Sequence, residues 1–210
     1  MRKRVIIFDM DGTLLDSSRS ITKSINFVRS ELGLPPFSVD KVTKLINMPD
    51  QDLPKLFYEE IRPYSECRKI FEKHYYENCV KEMKLYDGIK DMLETLYSKH
   101  DMAVATNAYE MFAKKMLKHL DIDRYFQVVL GSDTIKARKP DPKIIQHILK
   151  HFNASNKEAV LVGDSLKDEE AARNADIEYI FVDWGFGESS SPDYILSLDN
   201  LKNIGKIVSN

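Results

Sequence analysis

Long apolar runs are missing from this chain. The run nearest its start, Val5-Ile6-Ile7-Phe8, stops at Asp9 after four residues, far short of the about eighteen that a membrane span needs. Met1-Arg2-Lys3-Arg4 imitates the charged start of an export signal, but four apolar residues are too few to form its core. The expectation is a cytoplasmic protein with no membrane partner. Cysteine is scarce too: Cys67 and Cys79 are the two present. Neither belongs to a Cys-x-x-Cys pair or lies beside paired histidines, so no disulfide framework and no zinc site is signalled. Both read as buried or incidental thiols. A basic excess is also absent, with 31 Lys and Arg against 33 Asp and Glu, which excludes the electrostatic footprint of a nucleic-acid binder. Beyond the short Ser189-Ser190-Ser191 tract there is no low-complexity segment, and no internal repeat.

What is present is an ordinary globular composition, 43% hydrophobic and 30% charged, in which a small molecule is the expected partner. A length of 210 residues suits one main domain carrying a sizeable insertion. Val5–Phe8 is a compact β-branched and aromatic run opening into acidic and glycine residues, as a buried parallel strand does. Similar runs recur at Met102–Thr106, Gln127–Leu130, Ala159–Val162 and Tyr179–Val182. Between them, apolar residues repeat at helical spacing: Ile89, Leu93 and Leu96; Phe112, Met116, Leu117 and Leu120; Ile144, Ile145, Ile148 and Leu149. Strands alternating with helices predict an α/β fold, a doubly wound parallel sheet covered on both faces.

The alternation breaks between Asp16 and Leu85, where the pattern is helical throughout. Ile21, Ile25, Val28 and Leu32 form one stripe, ended by Gly33, Pro35 and Pro36. Further helical stretches cover Val39–Ile46, Leu53–Ile61 and Cys67–Val80. The expected division is a core of residues 1–16 and 85–210 and an inserted all-helical domain of residues 17–84.

Ligands bind a parallel α/β sheet outside the carboxyl ends of its strands. Just past those ends lie Asp9 and Asp11, then Thr106 and Asn107, then Gly163, Asp164 and Asp168. Lys139-Pro140 is read as the start of the helix leading into the Ala159 strand. Taken singly, each has an ordinary explanation: a turn aspartate, a helix lead-in, a cap. Together, and in order, they are explained by one site. Carboxylates crowded there require a cation, and hard oxygen ligands suit Mg²⁺. With the metal in place a carboxylate can attack phosphorus, while Lys139 and Thr106 hold the other phosphoryl oxygens. The backbone N–H groups around Asn107 are further donors for a phosphate.

Asp-x-Asp-Gly-Thr at Asp9–Thr13, the strand-end Thr106, Lys139-Pro140, and Gly163-Asp164 with Asp168 resemble, in that order, the motifs of the haloacid dehalogenase superfamily. The resemblance covers residues 4 to about 185. It implies a Rossmann-like core with a helical cap, and a Mg²⁺-dependent phosphatase acting on a small phosphorylated metabolite as monomer or homodimer. It further implies Asp9 as nucleophile and Asp11 as general acid and base, with Asp9, Asp164 and the Asp11 carbonyl as metal ligands. Thr106 and Lys139 take the phosphate, Gly12 allows the mobile turn that follows, Thr13 supports the site, and Asp168 supports the metal shell. Val182-Asp183-Trp184-Gly185-Phe186-Gly187 and Gly33-Leu34-Pro35-Pro36 are similar to the phosphoglycolate phosphatase-like branch. Ile46-Asn47 departs from its usual Ile-Gly, and Pro49 and Pro54 follow.

Two other readings stay open. A hexose-phosphate mutase shares the core, although such relatives commonly carry Val where this chain has Thr13. A phospho-acceptor regulatory module clusters carboxylates and a lysine on a similar sheet, but it has no helical insertion after its first strand. The five histidines, His74, His100, His119, His147 and His151, are scattered and are given no catalytic role. Phe57-Tyr58 and Tyr75-Tyr76 read as core or cap-interface aromatics.

Overall fold

The computed structural model describes residues 3–48 and 52–209, so Pro49 lies outside the described residues. The chain divides into two compact units, Met1–Asp16 with Leu85–Asn210, and Ser17–Lys84. β1 (Val5–Phe8) and the short β2 (Leu15–Asp16) precede the inserted helices α1 (Ser18–Glu31), α2 (Val39–Asn47), α3 (Leu53–Tyr58) and α4 (Tyr64–Asn78). The chain returns through β3 (Lys84–Leu85) to α5 (Ile89–Tyr97), β4 (Asp101–Ala105), α6 (Glu110–His119) and β5 (Val128–Leu130). It finishes with α7 (Lys143–Phe152), β6 (Ala159–Gly163), α8 (Leu166–Asn174), β7 (Glu178–Val182), β8 (Tyr194–Leu196) and α9 (Ile204–Ile207).

Six strands form one parallel sheet in the order β5-β4-β1-β6-β7-β8. The chain runs outward from β1 through β4 to β5, then crosses back to β6. That reversal beside β1 is the topological switch point at which open α/β sheets bind ligands. β1 is central and buried on both faces, which is why it reads as an unbroken apolar run rather than an alternating one. Val5 and Ile7 pack against Ile144, Ile145 and Ile148 of α7 and Ala171 and Ala172 of α8. Ile6 and Phe8 point the other way and are fully buried, with Phe8 edge-on to Phe126 at 6.1 Å between ring centroids.

In the sheet unit, β8 and the start of α7 differ from the sequence-based expectation. β8 is a sixth strand that composition hides: Tyr194 and Ile195 are exposed and Leu196 alone is buried, so no apolar run marks it. Helix α7 starts at Lys143, not at Lys139-Pro140. Residues that precede a proline are driven away from helical ψ, which removes both Lys139 and Asp141. The helix begins only after Pro142, with Asp141 Oδ1 accepting the Lys143 N–H at 3.0 Å.

The inserted unit has its own apolar core of Ile25, Val28, Val42, Phe57, Tyr58 and Cys67. Cys67 and Cys79 are free and buried. Tyr75 is buried too, while Tyr76 is exposed. Its organising side chain is Arg29, which is 1% exposed. The guanidinium donates to Pro35 O at 2.6 Å and to Phe57 O, and lies 3.6 Å above the Phe37 ring. That explains why α3 ends at Tyr58 rather than running to Ile61. The Phe57 carbonyl that would accept the Ile61 N–H is taken by Arg29, Ile61 N donates to Tyr58 O instead, and Glu59 and Glu60 turn left-handed. Arg29→Met strips the buried Phe57 carbonyl of its donor, at about 1–3 kcal/mol, and also removes the donor to the carbonyl of the exposed Pro35. Hydrogen exchange should accelerate across residues 17–84 and stay unchanged in the β1, β4 and β6 amides; uniform acceleration would contradict this assignment.

Candidate active site

Parallel register decides which residues meet. Phe8 is level with Val104 on one side and Val162 on the other, so Asp9, Thr106 and Asp164 leave adjacent strands at the same edge of the sheet. Asp9 is tied to that edge by its own N–H, which donates to Val162 O at 2.8 Å. Lys139 reaches the same point from the loop before α7. Its ammonium lies 2.5 Å from Asp9 Oδ1 and 2.5 Å from Asp168 Oδ1. Acceptor atoms of Asp9, Asp164 and Asp168 all fall within 4.8 Å of one another, and the three side chains are buried.

One ammonium thus serves three buried carboxylates. Like charges at 4 Å repel by about 4 kcal/mol at an effective dielectric near 20, so the cluster is short of positive charge. Burial pushes the Asp9 carboxyl well above its ordinary range, a rise that Lys139 opposes. Burial and then the neighbouring Asp168 charge raise Asp164 to about 7. Burial alone would lower the Lys139 ammonium, but Asp168 and Asp9 together hold it up. An all-oxygen donor set with this deficit fits a hard divalent cation such as Mg²⁺.

Each member is held in place by named partners. Both oxygens of Asp168 are occupied: Oδ1 by Lys139, and Oδ2 by the Ser165 hydroxyl at 2.6 Å and the Ser165 N–H at 3.2 Å. Asp168 is thereby held between the lysine and the cap of its own helix. Thr106 is buried, and its hydroxyl oxygen accepts the Ala108 N–H at 3.1 Å. The Asn107 amide clamps the main chain of Lys139, accepting its N–H at 2.7 Å and donating to its carbonyl at 3.0 Å. Its side chain is therefore committed to presenting the lysine, a role that sequence reasoning did not assign to it. Asp11 is half-buried in the turn after β1, and its side chain is outside the three-carboxylate cluster. Its charge, after burial and those of Asp16 and Asp164, helps to raise the Tyr86 phenol.

Sequence reasoning singled out the loop after β7 as a branch resemblance but assigned none of its residues to the site. The Phe186 and Gly187 N–H groups donate to Asp164 Oδ2 at 2.7 and 3.3 Å. On the other side the Thr13 hydroxyl reaches Asp164 Oδ1 at 3.3 Å, and the Trp184 indole donates to Thr13 O at 3.1 Å. Two glycines make this wrapping possible. Gly12 adopts φ +87°, and a Cβ there would sit 2.4 Å from Asp164 Oδ2; a Cβ on Gly185 would sit 2.2 Å from Asp164 Cβ. The glycine at 185 directly past a buried strand was the available signal, since backbone approaching that closely must be glycine.

Residues 6–182 match the model of the haloacid dehalogenase-like hydrolases, and the chain belongs to that family. It is a phosphatase of the family, a phosphoric monoester hydrolase, and is phosphoglycolate phosphatase-like. It is 36% identical over 198 residues to a phosphoglycolate phosphatase of Aquifex aeolicus, with 92% of each chain covered. A second phosphoglycolate phosphatase, from Nitrosococcus oceani, is 30% identical with 95% of each chain covered. A crystal structure of a predicted phosphoglycolate phosphatase from Haemophilus somnus superposes with a TM-score of 0.88 at 27% identity, covering 100% of this chain and 99% of that one. Enzymes of this family generally use Mg²⁺. Among the described residues no helix is long and apolar enough to cross a membrane.

The raised Asp164 carboxyl has a stability consequence. A native state that keeps a proton the unfolded chain releases loses stability as pH rises from the ordinary carboxylate range to about 7, by about 1.4 kcal/mol for each pH unit crossed between those limits. In chelator, urea midpoints should therefore fall between about pH 5 and about pH 8. The fall should shrink in saturating Mg²⁺ and in Asp164→Asn. An equal fall in all three would contradict the assignment.

Proposed function

We propose that the chain hydrolyses a small phosphomonoester, of phosphoglycolate or related sugar-phosphate type, with Mg²⁺ and through a phosphoryl group carried on Asp9. The observation carrying this reading is the Lys139 ammonium shared by Asp9 and Asp168, with Asp164 alongside. The substrate class rests on the names of the relatives, phosphoglycolate phosphatases in two bacteria.

Mg²⁺ would be held by Asp9, Asp164 and the backbone carbonyl of Asp11, and would neutralise charge on the phosphoryl oxygens. The remaining work falls to the chain. Lys139 and Thr106 bind phosphoryl oxygens, and Asn107 aims Lys139 at them. A carboxylate oxygen of Asp9 attacks phosphorus, the bond from phosphorus to the leaving oxygen breaks, and Asp11 gives that oxygen its proton. Asp11, now a carboxylate, takes a proton from water; the water oxygen attacks phosphorus, the Asp9–phosphorus bond breaks, and inorganic phosphate leaves. Splitting one hard displacement into two is the gain of covalent catalysis.

Asp9→Asn should lower turnover by about 10⁴-fold or more while circular dichroism shows an intact fold. Wild-type-like phosphate release from that variant would end the proposal. Asp11→Asn should cost about 10²–10⁴-fold on an alkyl phosphate and much less on an activated aryl phosphate, whose leaving group needs little protonation. Equal losses on both would remove Asp11 from the proton-transfer role.

A further inference from the structure

Outside the four motifs, one buried acid among the described residues has no part in the chemistry described so far. Glu169 is 0% exposed, directly follows Asp168, and spends both oxygens on the tract Ser189-Ser190-Ser191. Oε2 accepts the Ser189 hydroxyl at 2.6 Å and the Ser190 N–H at 2.7 Å; Oε1 accepts the Ser190 hydroxyl at 2.9 Å and the Ser191 N–H at 3.0 Å. Arg173, one turn later on α8, pairs with Oε1. A carboxylate surrounded by four neutral donors and a guanidinium is fully satisfied, and it makes the tract a fixed attachment point rather than a solvated loop.

The tract continues the segment that wraps Asp164. Its neighbours Phe186 and Gly187 donate to Asp164 Oδ2, and Trp184 holds Thr13 in the turn that carries Asp11. At the far end, Asp193 is fastened to β7, with its N–H on Tyr179 O at 3.1 Å and its Oδ2 accepting the Tyr179 N–H at 2.8 Å. Asp164 and Glu169 flank the first turn of one helix, whose cap Ser165 is bonded to Asp168. The segment from 184 to 191 is therefore gripped twice by the same rigid piece of chain.

We infer that Glu169 is a positioning residue for the cation site: by anchoring Ser189–Ser191 it keeps the Phe186 and Gly187 amides on Asp164 and so fixes the orientation of that carboxylate. The inference rests on the reading of Asp164 as a metal ligand. Groups that hold a ligand from behind typically change metal affinity by about 10–100-fold when removed, and the Glu169 anchor acts one step further out. It acts on Mg²⁺ affinity and leaves the affinity of Lys139 and Thr106 for phosphate unchanged.

The test uses Glu169→Gln, which keeps the shape but turns an N–H₂ toward backbone N–H donors, and the double variant Ser189→Ala/Ser190→Ala, which removes two hydroxyl donors at the loop surface. Mg²⁺ binding is measured by calorimetry on phosphate-free protein, beside wild type and Asp164→Asn. Trp184 is the single tryptophan, so its emission reports whether the segment stays docked on Thr13. Expected are a Mg²⁺ dissociation constant raised about tenfold in Glu169→Gln, a smaller rise in the double variant, and red-shifted Trp184 emission in both. If Glu169→Gln fails to fold, the double variant decides alone. Wild-type Mg²⁺ affinity in the Glu169 and serine variants, with binding lost in Asp164→Asn, would overturn the inference and leave the metal-site reading standing. Unimpaired Mg²⁺ binding by Asp164→Asn would overturn the reading beneath it.

Discussion

The Lys139 ammonium between Asp9 and Asp168 is the contact on which the rest of the site depends. It arrives from a loop far along the chain, and without it three buried carboxylates would face one another with no positive charge among them. Removing one partner of a buried ion pair costs about 3–5 kcal/mol, so this bridge also welds the loop before α7 to the end of β1 and the first turn of α8. The Asn107 clamp serves the same end: it grips the main chain of Lys139 from the end of β4. The ammonium is thus aimed by backbone and not by a free lysine stem.

A site short of positive charge is unstable until it is filled, and that tension has a functional meaning. On the proposed reading the carboxylates are held close to receive a cation and a phosphoryl group, and that burial and crowding raise the Asp9 and Asp164 carboxyls. Rigidity around Asp164 keeps the cluster from relaxing apart. Backbone donors from Phe186 and Gly187, the Thr13 hydroxyl and the close glycine at 185 leave that side chain one orientation. The loop providing those donors is itself tied down at Glu169 and Asp193, so order passes outward from the chemistry to the sheet edge.

Much of this was legible in the sequence, for physical reasons that differ by element. Buried parallel strands announce themselves by unbroken apolar runs, so β1, β4, β5, β6 and β7 were found to within a residue or two. β8 was not, because an edge strand with Tyr194 and Ile195 in solvent carries no such run. The start of α7 was misplaced because Lys139-Pro140 looks like a helix entrance when read alone, and the second proline two residues on is what delays it. Asp9, Thr106, Lys139, Asp164 and Asp168 were recognisable because each follows or precedes an element at the carboxyl edge of the sheet. The Asn107 clamp, the Trp184–Gly187 wrap and the Glu169 anchor were not, since they depend on loops meeting in three dimensions. Nothing in the spacing of Ser189-Ser190-Ser191 points to a glutamate twenty residues earlier.

The central claim is that Asp9 carries the phosphoryl group. Its most direct test is an acid quench of the enzyme turning over a phosphomonoester in Mg²⁺, followed by proteolysis and mass spectrometry. A phosphoryl adduct on the peptide containing Asp9, labile at alkaline pH and absent from Asp9→Asn, is the predicted result. Steady turnover with no adduct there, or an adduct mapped to a different side chain, would contradict the account.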